Sequence, residues 1–262
     1  MRLLKLLFGI FTIFKAPYCY SQEILNGCHQ LLVVTNSDWQ EKQGNLQLYE
    51  RLNDDSVWIP IGVPVPVVLG RAGLAWGIGL HPAANELFLC KKEGDGKSPA
   101  GIFSLSRAFG FASSTEMSHL KVEYFQLNQH IEAVDDPLSN YYNCIVDNRE
   151  VVPDWHSSEK MGEEPLYEIG MIVDHNFPNP QAGAGSAIFL HIWRHENSGT
   201  AGCTAMSQEN LNNILSWLDK SRNPVLVQLP ISQYNQFQNA WNLPILQKDQ
   251  MQPLLNSLKS EF

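Results

Sequence analysis

The feature that most constrains the fold is a series of short apolar segments, each rich in β-branched and aromatic residues. Segments of this length and composition are typical of strands rather than helices. Between them lie clusters of Gly, Pro, Asn and Asp, which tolerate positive φ or fix a turn. We predict a mainly β, α+β chain with strands at residues 31–35, 46–52, 65–69, 86–90, 102–105, 167–173, 187–192 and 225–229.

A single principal helix is predicted at residues 208–221. Ser207 is placed to cap it, and Pro224 cannot continue it. Apolar side chains recur there with the i, i+3, i+4, i+7 spacing of one buried face, at positions 211, 214, 215 and 218. These side chains are therefore expected to belong to the core.

The length and composition indicate one domain with a small addition. A chain of 262 residues with 44% hydrophobic content can bury a full core, and no internal repeat is visible. We place the main domain at residues 28–230. Residues 231–262 change character to Gln, Asn and scattered apolar residues, and we predict a helical appendage that packs on the domain.

The N-terminus has the layout of a secretory signal peptide. Arg2 and Lys5 precede an apolar run at residues 6–14, and the small residues Cys19 and Ser21 precede a cleavage point after residue 21. The run is too short for a membrane anchor, since spanning a bilayer takes about 20 apolar residues. We therefore expect residues 1–21 to be removed and the mature chain to be exported, with no stable membrane span.

Charge and cysteine content argue against several classes of protein. A net charge of −9 without clustered Lys and Arg argues against nucleic-acid binding. The sequence has no C-x-x-C and no closely spaced Cys/His ligands of a zinc site. After export, Cys28, Cys90, Cys144 and Cys203 would lie in an oxidising compartment. If Cys203 stays a thiol, at most one disulfide forms among the other three, and the pair stays open.

The segment from Gly185 to Met206 carries the chemistry. It places His191 at the end of an apolar strand and the pair Gly202-Cys203 shortly after it. A cysteine is a useful nucleophile only as a thiolate, and an adjacent imidazole takes its proton and later returns it to the leaving group. Backbone N–H groups near Gly202 and Cys203 are candidates for an oxyanion site. The plainer alternatives are a buried apolar cysteine and a core histidine.

Several further residues are weaker candidates. His195 is a competing base in an exposed loop, and His81 and His175 are candidates to line the cleft. Trp76 and Trp193 are more typical of packing, although either would suit the wall of a substrate groove.

Three segments resemble, in the same order, segments of one branch of the L,D-transpeptidase (YkuD-like) family: residues 70–81, 92–103 and 185–206. The arrangement of His191 and Gly202-Cys203 looks like the catalytic signature of that family. The resemblance covers about residues 28–230. It implies a β-sandwich of mixed sheets, with one principal helix following the catalytic cysteine, and a periplasmic location.

The resemblance implies that Cys203 is the nucleophile and His191 the proton donor and acceptor, without cofactor or metal. It implies a peptidoglycan stem peptide as substrate. Such enzymes typically attack the L-centre carbonyl of a diaminopimelate residue, release D-Ala, and pass the acyl group to an amine or to water. We assign substrate binding to Arg194, His81, Trp193 and Thr200.

One departure from the family pattern leaves the acceptor open. The commoner branch follows its Gly-Cys with an aliphatic residue and Arg, whereas this chain has Thr204-Ala205. Arg194 is another candidate for holding a substrate carboxylate. Three functions are therefore considered: acyl transfer to an amine, hydrolysis as an L,D-carboxypeptidase or amidase, and binding of cell-wall peptides without catalysis.

Overall fold

The computed structural model describes residues 24–83 and 89–246. The predicted signal peptide, residues 1–21, lies outside this part of the chain. The strands are β1 (Gln30–Asn36), β2 (Gln43–Glu50), β3 (Ile59–Val68), β4 (Leu74–Trp76), β5 (Ser98–Gly110), β6 (Glu123–Gln126), β7 (Ile131–Val134), β8 (Ile145–Asp147), β9 (Ser158–Lys160), β10 (Ile169–Val173), β11 (Phe189–Ile192), β12 (Thr204–Met206) and β13 (Val225–Pro230), and the α-helices are α1 (Gln208–Trp217) and α2 (Ile231–Phe237). The predicted mainly β fold is confirmed.

The larger sheet contains ten strands and curls back on itself. Its order is β10-β11-β12-β3-β2-β1-β13-β5-β4, and β6 pairs with β5. Because β10 also pairs with β5, the path of strands closes and its inner faces pack against each other. Parallel pairs, β1 with β13 and β11 with β12, stand among antiparallel ones, as the predicted mixed sheets require. A second sheet has the order β8-β7-β9.

The core lies inside this closed sheet and under α1. Every residue of β1 is buried, and residues 31–34 are wholly inaccessible. A strand covered on both faces reads as a continuous apolar run rather than an alternating one, which is why Leu-Leu-Val-Val was recognisable as a strand. On the other side of the molecule, α1 packs against β10 and β11 and supports the strand that carries His191.

The helix α1 is shorter than predicted. It begins as expected, with Ser207 Oγ accepting from the N–H of Asn210 at 3.3 Å, but it ends at Trp217 rather than at residue 221. Leu218 is extended, and the N–H of Asp219 donates to Gln30 Oε1 at 2.7 Å. A tertiary hydrogen bond to β1 therefore replaces the next turn of helix, and a 3-10 turn, Lys220–Arg222, follows.

Several strands differ from the prediction. The segment 86–90 falls largely on residues outside the described part. β3 begins at Ile59 and runs through Pro60, Pro64 and Pro66, although prolines argue against a strand. Most of β3 pairs with β2 alone, so its missing N–H groups leave few ladder bonds unmade. The short strands β4, β6, β7, β8, β9 and β12 were missed because three or four residues are too few to show alternation.

The described C-terminal part packs on the domain. α2 follows β13 directly, and Tyr234, Trp241, Leu243 and Leu246 are buried in the core. Residues 247–262 of the predicted appendage lie outside the described part. No disulfide joins cysteines within the described residues. Over the same residues, no helix has both the length and the apolar character needed to cross a membrane.

Candidate active site

Two short parallel strands bring the predicted nucleophile and base together. In the register of β11 and β12, His191 lies opposite Ala205. Cys203 directly precedes β12, and the N–H of Phe189 in β11 donates to Cys203 Sγ at 3.2 Å. Residues two apart on a strand share a face, so Cys203 and His191 lie on the same face of this strand pair.

Two hydroxyl groups hold the loop that precedes Cys203. Thr200 Oγ1 donates to Cys203 O at 2.6 Å and accepts from the N–H of Gly202 at 3.1 Å. Ser98 Oγ, at the start of β5, donates to the same carbonyl at 2.9 Å and accepts from the N–H of Gly70 at 2.8 Å. These bonds join the backbone at Cys203 to separate segments, so the position of Cys203 is set by the fold itself.

The thiol of Cys203 lies between a backbone donor and a backbone acceptor. It is 6% exposed and donates to Ala187 O at 3.3 Å, while the N–H of Phe189 points at the sulfur. Burial raises the pKa of the Cys203 thiol, and the charge of Glu159 adds to this, whereas the Phe189 N–H and the positive charge of Lys91 lower that pKa. Because the raising influences dominate, the resting side chain is a protonated thiol at neutral pH.

The tautomer of the His191 imidazole follows from its hydrogen bond to the backbone. Nδ1 lies 2.8 Å from Ile192 O, and since a carbonyl only accepts, Nδ1 carries the proton and Nε2 keeps a lone pair. Burial lowers the pKa of His191, so its ring is neutral at neutral pH. Tyr167 packs edge-on against the ring with centroids 5.4 Å apart, and its hydroxyl donates to Glu159.

Cys203 and His191 line one open cleft of about 570 Å³ that carries both signs of charge. The segment 159–164 contributes the carboxylates of Glu159, Glu163 and Glu164. The loop 193–201 and the adjacent residue 71 contribute the guanidinium groups of Arg194 and Arg71. Lys160 also lines the cleft, but its ammonium group pairs with Glu132 at 2.5 Å.

A model of the L,D-transpeptidase catalytic domain matches residues 42–227, which include β11, β12 and all the residues that line the cleft. The matched span is well over half of the chain. The chain belongs to the L,D-transpeptidase catalytic domain family. No curated protein and no solved structure matches it significantly. At the level of this family, the matched domain supports L,D-transpeptidase-type catalysis on peptidoglycan, and the cleft lies within the matched span.

The L,D-transpeptidase cleft gathers five of the residues singled out in the sequence: Cys203, His191, Trp193, Arg194 and Thr200. Arg194 is exposed and Trp193 half-buried, so both side chains are accessible to a ligand. The hydroxyl of Thr200 is instead committed to the backbone of the nucleophile loop. Thr200 therefore positions Cys203 in this structure.

The backbone of Gly202 also takes part in the hydrogen bonds that hold the loop before Cys203. Its N–H donates to Thr200 Oγ1, so it is engaged rather than directed at an incoming oxyanion. A Cβ placed on Gly202 would lie 3.1 Å from Lys97 O, which is tighter than most real contacts. The close approach of two backbone segments therefore accounts for a glycine before the nucleophile.

The structure does not bring His81 to the L,D-transpeptidase cleft. Its ring is 6% exposed and packs among the rings of Trp76, Phe103 and Trp241. Its Nδ1 accepts from the N–H of Ile102 at 3.0 Å, and burial lowers the pKa of His81. The side chain is part of an aromatic core that joins β4, β5 and the residues after α2.

His175, the other histidine considered as a cleft residue, and His195, considered as a competing base, also lie outside the cleft. His175 is buried, with Nδ1 accepting from Ile78 N–H at 3.2 Å and Nε2 donating to Ala184 O at 2.9 Å. His195 lies in the exposed tip of the loop after β11, where its Nδ1 accepts from the N–H of Asn197 at 3.3 Å. Neither side chain lines the cleft.

Sequence reasoning missed the residues that come from distant segments. Tyr167, Glu159 and Arg71 all line the cleft, and Tyr167 contacts the ring of His191. No local spacing connects them with Cys203. Tyr167 is brought there by pairing of β10 with β11, and Glu159 by the short sheet that holds β9. Arg71 is placed by its N–H, which donates to Thr200 O at 2.8 Å. Arg71 lies in a segment that carries the family resemblance, which was its only signal.

Within residues 24–83 and 89–246, no group of three or more His, Cys, Asp or Glu side chains is arranged to hold a metal ion. The nearest candidates in the cleft are the carboxylates of segment 159–164. One of these, Glu159, is occupied by the hydroxyl of Tyr167, and Glu164 accepts from the N–H of Leu166.

Proposed function

We propose that this chain transfers an acyl group from a peptidoglycan stem peptide to an amine, through a thioester on Cys203. The single observation that carries the proposal is the shared face of β11 and β12. It presents Cys203 and His191 together to an open cleft, inside the span that matches the L,D-transpeptidase catalytic domain. A nucleophile and base on adjacent rigid strands are held in the geometry that thiol catalysis needs.

The proposed reaction uses His191 four times. Nε2 takes the thiol proton of Cys203 as the sulfur attacks the substrate carbonyl, and then gives that proton to the leaving amine of D-Ala as the C–N bond breaks. The product is a thioester. His191 then takes a proton from the acceptor amine as it attacks the thioester, and returns that proton to the sulfur as the C–S bond breaks.

The charges of the cleft support an amine as acceptor. Arg71 and Arg194 suit the carboxylates of a stem peptide, because guanidinium groups bind carboxylates with good geometry. The carboxylates of Glu163 and Glu164 suit an ammonium group, and water needs no such partner. Arg71 and Arg194 are also the candidates to replace the arginine that the commoner branch has after its Gly-Cys.

We also propose that the chain is exported and acts in the periplasm. The support is the basic start and apolar run of residues 1–21, together with a substrate class that lies outside the cytoplasmic membrane. N-terminal sequencing of the protein from the periplasmic fraction should begin at Gln22. An intact N-terminus in the cytoplasmic fraction alone would overturn this part of the proposal.

The test is mass spectrometry of tetrapeptide-bearing peptidoglycan fragments incubated with mature protein, with Cys203→Ala as the inactive control. We expect cross-linked dimers and free D-Ala with the wild type and neither with the variant. Shortened monomers without dimers would make the protein a carboxypeptidase, and cleavage elsewhere in the stem would make it an amidase. Unchanged fragments, or equal products from Cys203→Ala, would overturn thiol catalysis.

A further inference from the structure

A buried lysine that the proposed reaction does not use lies behind the nucleophile loop. The side chain of Lys91 is 3% exposed, and its Nζ donates to Asp95 Oδ1 at 2.7 Å and to Lys92 O at 2.8 Å. Lysine is almost never this deeply buried unless its charge is paired. The burial of this cation therefore needs a functional explanation.

The side chain of Lys91 packs against two backbone segments, one that leads to β11 and one that leads to β12. A Cβ placed on Gly202 would lie 3.7 Å from Lys91 Cε, and one placed on Gly185 would lie 2.9 Å from Lys91 Cγ. Gly202 is the residue before Cys203, and Gly185 opens the segment that leads to β11. The end of the Lys91 side chain thus lies close to the residue that precedes Cys203, and Lys91 does not line the cleft.

The partner carboxylate, Asp95, is held by the loop that carries it. Besides the Lys91 ammonium, it accepts from the N–H of Lys92 at 2.8 Å and from the N–H of Lys97 at 2.9 Å. These bonds fix the carboxylate within the loop at 92–97. Because the side chains of Lys91 and Cys203 are both buried, a charge acts between them more strongly than at the surface.

We propose that Lys91 is a positioning residue of the catalytic site, whose buried charge stabilises the thiolate of Cys203 without touching the substrate. In the neutral resting state the charge has little effect on the thiol. As His191 removes the proton and negative charge develops on Sγ, the fixed ammonium group favours the charged form. This stabilisation needs no movement of the protein, since Lys91 is already in place.

The charged and titratable groups around Cys203 agree with this assignment. Burial raises the pKa of the Cys203 thiol and Glu159 adds to this, whereas the Phe189 N–H and the positive charge of Lys91 lower that pKa. From the other elements, His191 of β11 shares the face of the sulfur, and burial raises the pKa of Tyr167, to which a negative charge on Cys203 adds. Lys91 is therefore the one cation among the described groups that act directly on the sulfur.

The test is the pH dependence of Cys203 alkylation by iodoacetamide, read by mass spectrometry of the peptide that contains Cys203. Thiolate reacts and thiol does not, so the rate reports the thiol pKa without any substrate. Lys91→Met should slow alkylation about tenfold at about pH 8, which corresponds to a pKa higher by about one unit. Lys91→Arg, which keeps the charge, should stay close to the wild type.

Lys92→Met is the matched control, because it removes the same charge from the adjacent, exposed residue. A wild-type alkylation profile in folded Lys91→Met, or an equal shift in Lys92→Met, would overturn the proposal. If Lys91→Met does not fold, the double variant Lys91→Met/Asp95→Asn leaves no unpaired buried charge and should show the same slower alkylation. No substrate is used, so failure of the proposed transpeptidation and failure of this inference are separate results.

Discussion

At the scale of single residues, the site holds the side chains of Cys203 and His191 in their neutral forms. Burial raises the pKa of Cys203 and lowers the pKa of His191, so a thiol faces an imidazole rather than a thiolate facing an imidazolium. A neutral pair in a buried site avoids the cost of desolvating two ions before substrate arrives. In the proposed reaction, proton transfer therefore accompanies the attack, and the Phe189 N–H and the Lys91 charge would stabilise the sulfur as it becomes negative.

Glu159 acts on the same sulfur with the opposite sign. Glu159→Gln keeps an acceptor for the Tyr167 hydroxyl but removes the negative charge that raises the pKa of Cys203. We therefore expect alkylation of Cys203 to become several-fold faster at about pH 8. Glu163→Gln is the control, since Glu163 lines the same cleft but has no such influence on the thiol. Unchanged or slower alkylation in Glu159→Gln would contradict this expectation.

At the scale of elements, the relative position of Cys203 and His191 depends on the short parallel pair β11–β12 and on the loop between them. β12 has only three residues, and its pairing with β3 is limited to Ala205 opposite Val68. The loop is therefore held mainly by the hydroxyls of Thr200 and Ser98 at the Cys203 carbonyl. A strand of three residues makes few backbone hydrogen bonds to its neighbours. Side-chain hydrogen bonds therefore add to them in holding Cys203.

Thr200→Val tests this loop. The substitution keeps the shape but leaves the Gly202 N–H without its acceptor and removes one of two donors to Cys203 O. We expect a loss of about 1–2 kcal/mol in the free energy of unfolding, and a kcat lower by about tenfold with little change in KM, because the nucleophile is less well placed. Thr200→Ser restores the hydroxyl and should recover both values. Wild-type kcat in Thr200→Val would show that Ser98 alone holds the loop.

At the scale of the whole molecule, the closed sheet buries three histidines in different places. His81, His175 and His191 are each 6% exposed or less, and burial lowers the pKa of all three, that of His175 to about 4. The unfolded chain binds these protons near the ordinary histidine pKa of about 6.5. Protons therefore favour the unfolded state, so stability is complete above about pH 6.5 and declines as the pH falls toward 4.

A thermal unfolding series across this pH range checks the sign. His175 alone should cost about 2 kcal/mol between about pH 7 and pH 5, since protonation then occurs only in the unfolded chain. His175→Gln keeps an acceptor and a donor on the side chain and should flatten the fall in Tm. His195→Gln changes an exposed histidine and should leave the slope as in the wild type. A Tm that rises on acidification would contradict the conclusion that burial lowers the pKa of these histidines.

The predictions from sequence were good where a local pattern carries the information. The buried run at 31–34 is apolar because both faces of β1 are covered, and the face of α1 repeats with the helical period. His191 and Cys203 could be singled out because a strand, a loop and a capped helix follow each other within one short segment. The local sequence alone thus determined the mainly β class, the family and the two residues on which the proposed chemistry rests.

The tertiary structure decided what depends on distant segments meeting. The hydrogen bond from Asp219 to Gln30 ends α1 early, and the aromatic core takes His81 away from the cleft. Pairing of β10 with β11 brings Tyr167 to His191, and the loop at 91–97 brings Lys91 close to Gly202. Such contacts leave no periodicity in a sequence, because they are set by strand order and register rather than by spacing along the chain.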